Sequence, residues 1–458
     1  MLTTDLTAHD VDRLRAQVVG DVVAAGDDDY ATARLAWNLT ATQQPALVVV
    51  PDRPDDVLNT VRFATEHGLR VAAQGTGHNA MPLGEMRDTI LVKTHRMRGV
   101  EIDVENRIAR VEAGALWMDV TGPASEHGLA ALAGSSPDVG VVGYSLGGGM
   151  GWLARKLGLQ ANSVTAIEVV TADGRLVRAD EHEHADLFWA LRGGGGNFGV
   201  VTAMEFRLYA LESIVGGAMI WPAERSREVL HTWNEWTKTA PDEVTTSARI
   251  MNIPDMEGVP DIVRGRALVV IDGAVIGSPE EADAILAPLR ALAPEIDMFG
   301  PVPPVALSYI HMDPEEPVPG DSESAMLDDA TAALIEQLVE HFEQSAMLLL
   351  VELRHAGGAL ARAQHDHGAL AKLDGGYVFF AAGMSVPEIA EPLRAQLEAL
   401  KAAVDGHGNG RNYANFTEVK ADAASFYGAA TLARLRAVKS VYDPGNLFRA
   451  NHEIQQAA

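Results

Sequence analysis

The chain has 458 residues, no cysteine, 47% hydrophobic and 22% charged residues, and a formal net charge of −27. That length exceeds one simple core and predicts two domains, or one domain with a large insertion, while the missing cysteines exclude disulfides, thiolate nucleophiles and cysteine metal sites. The negative charge argues against nucleic-acid and anionic-membrane partners; with no basic-then-apolar leader over residues 1–10 and no apolar run near about 18 residues, the expectation is a soluble, cytoplasmic protein.

Val11, Leu14, Val18 and Val19 fall on one face of an amphipathic helix predicted over 11–23. A short helix is expected over 30–37 and a buried strand over 46–50, ended by Pro51. A helix over 55–67 has Asp55 near its cap and Gly68 just past its end, and a strand over 69–73 follows. Short strands are expected at 89–92, 99–103 and 108–112, then a helix over 116–127 that stops at Gly128. Residues 134–151 carry seven glycines and precede a brief helix over 152–157. Strands 164–171 and 176–179 frame Asp173-Gly174, a hairpin turn. A helix over 186–191, a glycine run from Gly193 to Gly199 and a strand over 200–208 complete the first half.

Near Glu212 the texture changes. Strands at 218–221, 245–250, 267–273, 347–354 and 377–385 alternate with helices at 225–240, 279–292, 328–342 and 386–405, and 301–319 is a Pro-rich loop. This pattern predicts an antiparallel sheet backed by helices, and 411–454 returns to loop and helix. The expected class is α+β, with domains at 1–213 and 214–409 and a segment 410–458 returning to the first.

Gly75-x-Gly77-x-x-Ala80 has the spacing of a dinucleotide fingerprint, which requires a helix to start inside the motif. Met81-Pro82-Leu83-Gly84 cannot start a clean helix, so the nicotinamide reading fails on context. Three glycine-dense loops remain, at 75–77, 134–151 and 193–199. Glycine lets backbone approach a ligand, and successive amides form anion-binding nests. Three such loops predict an elongated ligand with a diphosphate and a flat ring.

Four stretches carry a resemblance: Gln74 to His78, Ser136 to Gly151, Asp186 to Gly199, and Tyr413-Ala-Asn-Phe416 with Lys439 to Phe448. They resemble the FAD-linked oxidases of the p-cresol methylhydroxylase / vanillyl-alcohol oxidase superfamily, within it the berberine bridge enzyme-like group and its bacterial 6-hydroxy-D-nicotine oxidase-like relatives. The resemblance implies a PCMH-type FAD-binding domain and FAD bound covalently through His78, whose neutral imidazole can attack an electrophilic tautomer of the flavin. Many relatives carry a second, cysteinyl tether where this chain has Ser136, so a single histidyl link is implied. Gln74, Gly75, Thr76, Gly77, Asn79, Ser136, Gly140, Gly143, Gly147, Gly148, Gly196, Gly199, Val201 and Asn415 are the implied cofactor contacts. Val139, at the position of the oxygen gate, resembles the oxygen-reactive members and favours an oxidase over a dehydrogenase or oxidative cyclase.

The resemblance makes Tyr413 the base, or a residue that only orients substrate. A base would need nearby positive charge, and Arg411 and Lys420 are the neighbours in sequence. Tyr144 is implied to lie by the pyrimidine side of the flavin and to stabilise its reduced form. Glu352 and Arg354 share one face of a strand and are candidate substrate residues, as is Tyr309; His311 joins Tyr309 as a candidate for the entrance. His365 and His367 read as an exposed loop and His182 and His184 as a solvated turn, so no metal is expected. A small-molecule substrate and dioxygen are the expected partners; oligomeric state stays open, with a homodimer among the options.

Overall fold

A computed structural model describes residues 6–211 and 213–456, so Glu212, where the sequence texture changes, lies outside the described residues. The fold is α+β, and among the described residues it is organised around three main sheets.

The first sheet places Asp21–Ala24, Leu47–Val50, Thr89–Lys93 and Arg70–Gln74 side by side. Leu47–Val50 and Arg70–Gln74 both run parallel to Thr89–Lys93, with helix Pro54–His67 crossing between them. That helix ends because Gly68 takes φ 66°, a left-handed stop. Residues 18–23, expected in the first helix, depart from it. The helix is Ala8–Arg15, and Val22 and Val23 pair with Val49 and Val48 instead. Gly20 sits so close to Val50 that a Cβ would meet its carbonyl oxygen, and the amides of Val19 and Gly20 donate to Asp56. Strand pairing and this carboxylate outweigh the helical spacing.

The second sheet is antiparallel, in the order Val100–Asp103, Ile108–Glu112, Val200–Arg207, Val164–Val170, Leu176–Asp180. Helices Trp117–Ser125 and Ala185–Gly194 contribute Trp117, Leu187 and Leu191 to its core. The 134–151 run contains a helix that the glycines hid, Val141–Leu146.

The third sheet is wholly antiparallel, with long central strands Ile214–Pro222, Ala267–Val275, Val244–Asn252, Leu348–His355, Tyr377–Met384 and Gly320–Leu327. Helices Ser226–Thr237, Pro279–Arg290, Ala332–Glu343 and Ala390–Asp405 cover one face, where Trp221, Trp233, Leu286, Leu338, Phe379 and Leu397 form one core. Strand alternation sends Ser247, Arg249, Asp272, Glu352 and Arg354 to the other face. Strand Gly320–Leu327 lies between the expected Pro-rich loop and the helix expected from 328, in residues to which the sequence reading gave no element. Its Asp321 and Glu323 look polar in sequence, yet both pair with Arg394 of the covering helix.

The C-terminal segment closes back on the first sheet. Helix Ala429–Tyr442 buries Lys439, which donates to Asn197 O at 2.9 Å and to Asp443 Oδ2 at 2.7 Å. Asp443 also accepts from the amides of Leu447 and Phe448. The turn so fixed bonds Leu447 and Arg449 to Val71, at the root of the first glycine loop.

Candidate active site

All three glycine loops open onto one cavity of about 410 Å³. The first contributes Gln74, Gly75, Thr76, Gly77, His78 and Asn79. The second contributes Ser136, Val139, Gly140, Gly143, Tyr144 and Gly147, and the third Gly193 to Asn197 with Gly199 and Val201 beyond. Tyr413 and Asn415 close the C-terminal side, and Arg354 and Phe380 come from the third sheet. A Cβ added at Gly143 or Gly196 would meet no protein atom, so both offer bare backbone to the cavity. At Ala80 the chain makes only the 3₁₀ turn Met81–Leu83, as Pro82 requires.

Four sequence candidates lie elsewhere. Gly148 is withdrawn beneath Tyr413, where a Cβ would press on Leu370 and the Tyr413 ring; it supports the site without lining it. Glu352 is fully buried behind Arg354, with Oε1 2.8 Å from its Nε. Tyr309 is exposed in the 3₁₀ turn Pro304–Tyr309, with its hydroxyl on Met118 Sδ at 3.2 Å, because that turn packs on helix Trp117–Ser125 rather than over the cavity. His311 is not at an entrance but 1% exposed inside a charged cluster.

That cluster escaped the sequence reading. Asp272 Oδ2 accepts from Arg249 at 2.6 Å and from His311 Nδ1 at 2.8 Å, and Ser247 donates to its other oxygen. Burial opposes ionisation of Asp272, yet Arg249 and His311 hold it far below the usual carboxylate range. On the far side of His311, Arg354 donates to Nε2 at 2.9 Å. Asp313 then reaches the cavity, accepting from Ser135 Oγ at 2.8 Å, and is held low against burial by His311 and Arg354. Three carboxylates thus face two guanidiniums around one imidazole. The sequence signal was there: Asp272 interrupts an apolar strand, which a lone carboxylate does only when paired.

Tyr413 is 2% exposed, and burial pushes its phenol well above the ordinary value. Asn415 Nδ2 donates to its oxygen at 3.2 Å and to Tyr144 O at 3.0 Å. Arg411 gives Tyr413 no charge, since its guanidinium donates to Ala424 O and Tyr427 O. The cation on the Tyr413 side is Arg354, stacked 4.8 Å from the Phe416 ring centre. Phe416 touches both Tyr413 and Phe380, at centroid distances of 5.5 and 5.4 Å, and makes an aromatic wall. The Tyr144 hydroxyl is buried with no partner among the described residues, and burial raises its pKa well above normal, so it remains a donor.

His78 stacks on Trp37 at 4.1 Å. Its neighbour Asp138 is lowered although burial would raise it, because His78 and the Ser136 hydroxyl favour the carboxylate. Two further groups on the cavity were missed: Glu418, drawn up to about 7 by burial, and His452, drawn down to about 4 by burial. Among the described residues no group of three His, Asp or Glu side chains is arranged to hold a metal ion, and no helix is long and apolar enough to cross a membrane.

Comparison with known proteins bears on this cavity. Residues 45–180 match the FAD binding domain family, and residues 412–455 match the berberine and berberine-like family. Between them these matches take in the first two glycine loops, Tyr413 and Asn415. The chain is an FAD-linked oxidoreductase with a berberine-like C-terminal segment. It is 29% identical to (R)-6-hydroxynicotine oxidase of Paenarthrobacter nicotinovorans over 95% of this chain and 97% of that protein. It is 27% identical to chitooligosaccharide oxidase of Gibberella zeae over 95% and 92%. The solved structure of 6-hydroxy-D-nicotine oxidase from Arthrobacter nicotinovorans superposes with a TM-score of 0.83 at 25% identity, covering 96% of this chain and 98% of that one.

The residues present fit FAD. Gly143 and Gly196 leave open space in which a ligand has room against bare backbone. Gln74 Nε2, Asn79 Oδ1, Tyr144 Oη and His452 Nδ1 are buried, on the cavity-lining residues, with no hydrogen-bond partner among the described residues. Such orphaned groups cost about 1–3 kcal/mol each unless a ligand or water meets them.

Proposed function

We propose that this enzyme oxidises a C–H bond next to a hydroxyl or amine of a small organic substrate and reduces dioxygen to hydrogen peroxide. The observation that carries this reading is the convergence of His78, Tyr413 and Arg354 with three glycine loops on one cavity. FAD, when bound, supplies the hydride acceptor and the reaction with dioxygen. The protein's own groups do the rest. The glycine loops supply amides for the diphosphate. His78 is the single covalent tether, since Ser136 stands where a cysteine would be needed. Tyr144 donates its unpaired hydroxyl to the electron-rich ring. Tyr413 orients the substrate hydroxyl or amine, and accepts its proton only after giving up its own phenolic proton to solvent. Its raised pKa keeps it protonated at rest, so that transfer depends on Arg354 and Asn415 stabilising the oxygen. Phe380, Phe416 and Tyr413 suit a compact ring-bearing metabolite, which Arg354 and Asp313 would grip by its polar end.

The test is direct. The purified protein should be yellow, keep its flavin through acid precipitation, and lose that retention in His78→Ala. Peroxide should accompany turnover. Photoreduced enzyme should reoxidise rapidly in air if Val139 acts as an open oxygen gate; slow reoxidation would assign a dehydrogenase or oxidative cyclase instead.

A further inference from the structure

The two ring nitrogens of His78 face different partners. Thr76 Oγ1 lies 2.7 Å from Nδ1, and Asp138 Oδ2 lies 3.4 Å from Nε2. Neither Nε2 nor Oδ2 has a hydrogen-bond partner among the described residues, and both atoms are buried. Asp138 is held in turn, because Ser136 Oγ donates to its Oδ1 at 2.6 Å. Trp37 lies nearly parallel to the imidazole, 16° from coplanar, and stops it turning. An ionised carboxylate only accepts, so a lone pair at Nε2 would face repulsion and the hydrogen belongs there. Nδ1 then keeps its lone pair and accepts from the Thr76 hydroxyl. A carboxylate sits behind the ring, and the nucleophilic nitrogen points the other way. This is the base–orienter geometry that raises nucleophilicity in other sites.

We propose that Asp138 is the positioning residue that activates His78 for attachment to the flavin through Nδ1. The inference rests on the histidyl tether proposed above. Nδ1 gives its lone pair to a new bond with the flavin 8α carbon. One methyl C–H bond breaks, its proton leaves to solvent, and its electron pair stays on the ring system as the two-electron-reduced flavin. The Nε2 proton passes to Asp138. Dioxygen takes the electron pair with two protons and leaves as hydrogen peroxide. Ser136 acquires a use here: it braces the carboxylate that orients the one remaining link.

The experiment separates bound flavin from bonded flavin. Total flavin is measured after gel filtration and covalent flavin after acid precipitation, with intact mass as a check, for wild type, Asp138→Asn, Asp138→Glu and His78→Ala. Asp138→Asn should keep its total flavin while its covalent fraction falls at least tenfold, and Asp138→Glu should recover part of it. The histidyl-flavin peptide should carry its bond at Nδ1 by NMR. Equal covalent fractions and equal attachment time courses in wild type and Asp138→Asn would overturn the proposal. So would loss of total flavin from both Asp138 variants, which would make Asp138 a binding residue only, or a bond at Nε2. Release of all flavin from wild type, or retention by His78→Ala, would instead sink the tether reading itself.

Discussion

On the side of the cavity formed by residues 74–79, 140–147 and 193–199, glycines leave room and offer backbone between a few polar side chains. On the side formed by the third sheet and its loops, side chains are brought in, and those that arrive are charged or aromatic: Arg354, Asp313, Phe380. The first side meets a large rigid ligand, so it needs room and unspent amides. The second meets a small ligand that must be turned the right way, so it needs fixed charges. Fixing them takes several partners each, because an unpaired buried charge costs several kcal/mol. The glycine side should therefore fail by exclusion of cofactor with the fold intact, and the charged side by loss of stability or of turnover with cofactor retained.

The largest effect should come from putting a side chain on the bare side. Gly143 lies within helix Val141–Leu146, and a Cβ there meets no protein atom. Gly143→Leu should leave the fold as stable or gain up to about 1 kcal/mol of helix propensity, yet purify colourless. Gly151 makes the contrast, since its Cβ would meet Ala133 O at 1.8 Å. Gly151→Leu should destabilise the protein whether or not flavin is added. Thermal melts with and without FAD, beside absorbance spectra, distinguish the two; a yellow Gly143→Leu protein would break the comparison.

Next comes the charged side. Arg249 is 1% exposed and donates to Asp272. Arg249→Met leaves buried carboxylates uncompensated and should cost about 3–5 kcal/mol in urea unfolding, with flavin retained under native conditions. Asp272→Asn in the same chain should return part of that loss. Full additivity of the two changes would mean that the pair does not couple.

These two sides also differ in how far they could be read beforehand. The glycine loops are local: each lies within a few residues, and some of their turns demand glycine, as Gly77 at φ 91° and Gly193 at φ 102° show. The cluster of Arg249, Asp272, His311, Asp313, Glu352 and Arg354 exists only once strand register is set, with Arg249 opposite Glu352 and Ser247 between Asp272 and Arg354. Alternation put Glu352 and Arg354 on one face correctly, but nothing local says that one is buried support and the other a wall. Tyr309 misled because an exposed aromatic in a Pro-rich loop looks like an entrance until its packing on Met118 is seen. The helix at Val141–Leu146 was masked by the same glycines that make it useful.

Turnover sharpens the comparison at the point where the sides meet. Tyr413→Phe removes one oxygen and leaves Phe416, Asn415 and the glycine loops in place. Flavin content should not change, while kcat should fall roughly 10²–10⁴-fold if the phenol moves the proton. A fall below about tenfold would leave Tyr413 with orientation alone.

The smallest effect concerns two groups that titrate against each other on the cavity. Glu418 moves from 4.5 up to about 7 on folding. Between those values the unfolded chain ionises while the folded one does not, so stability falls as pH rises through this window. His452 moves from 6.5 down to about 4. Below 6.5 the unfolded chain takes up the proton first, so stability falls as pH drops towards 4. The slopes have opposite signs and overlap, which should leave wild type with a shallow profile between pH 4.5 and 6.5. Glu418→Gln removes one of the two. The variant should match wild type near pH 4.5, exceed it at pH 7 by on the order of 1–2 kcal/mol after solvent screening, and show a rising profile in between. Chemical denaturation at stepped pH reads this directly. A Glu418→Gln profile parallel to wild type would mean that the carboxyl finds a partner or water in the folded protein and is not held neutral by the cavity.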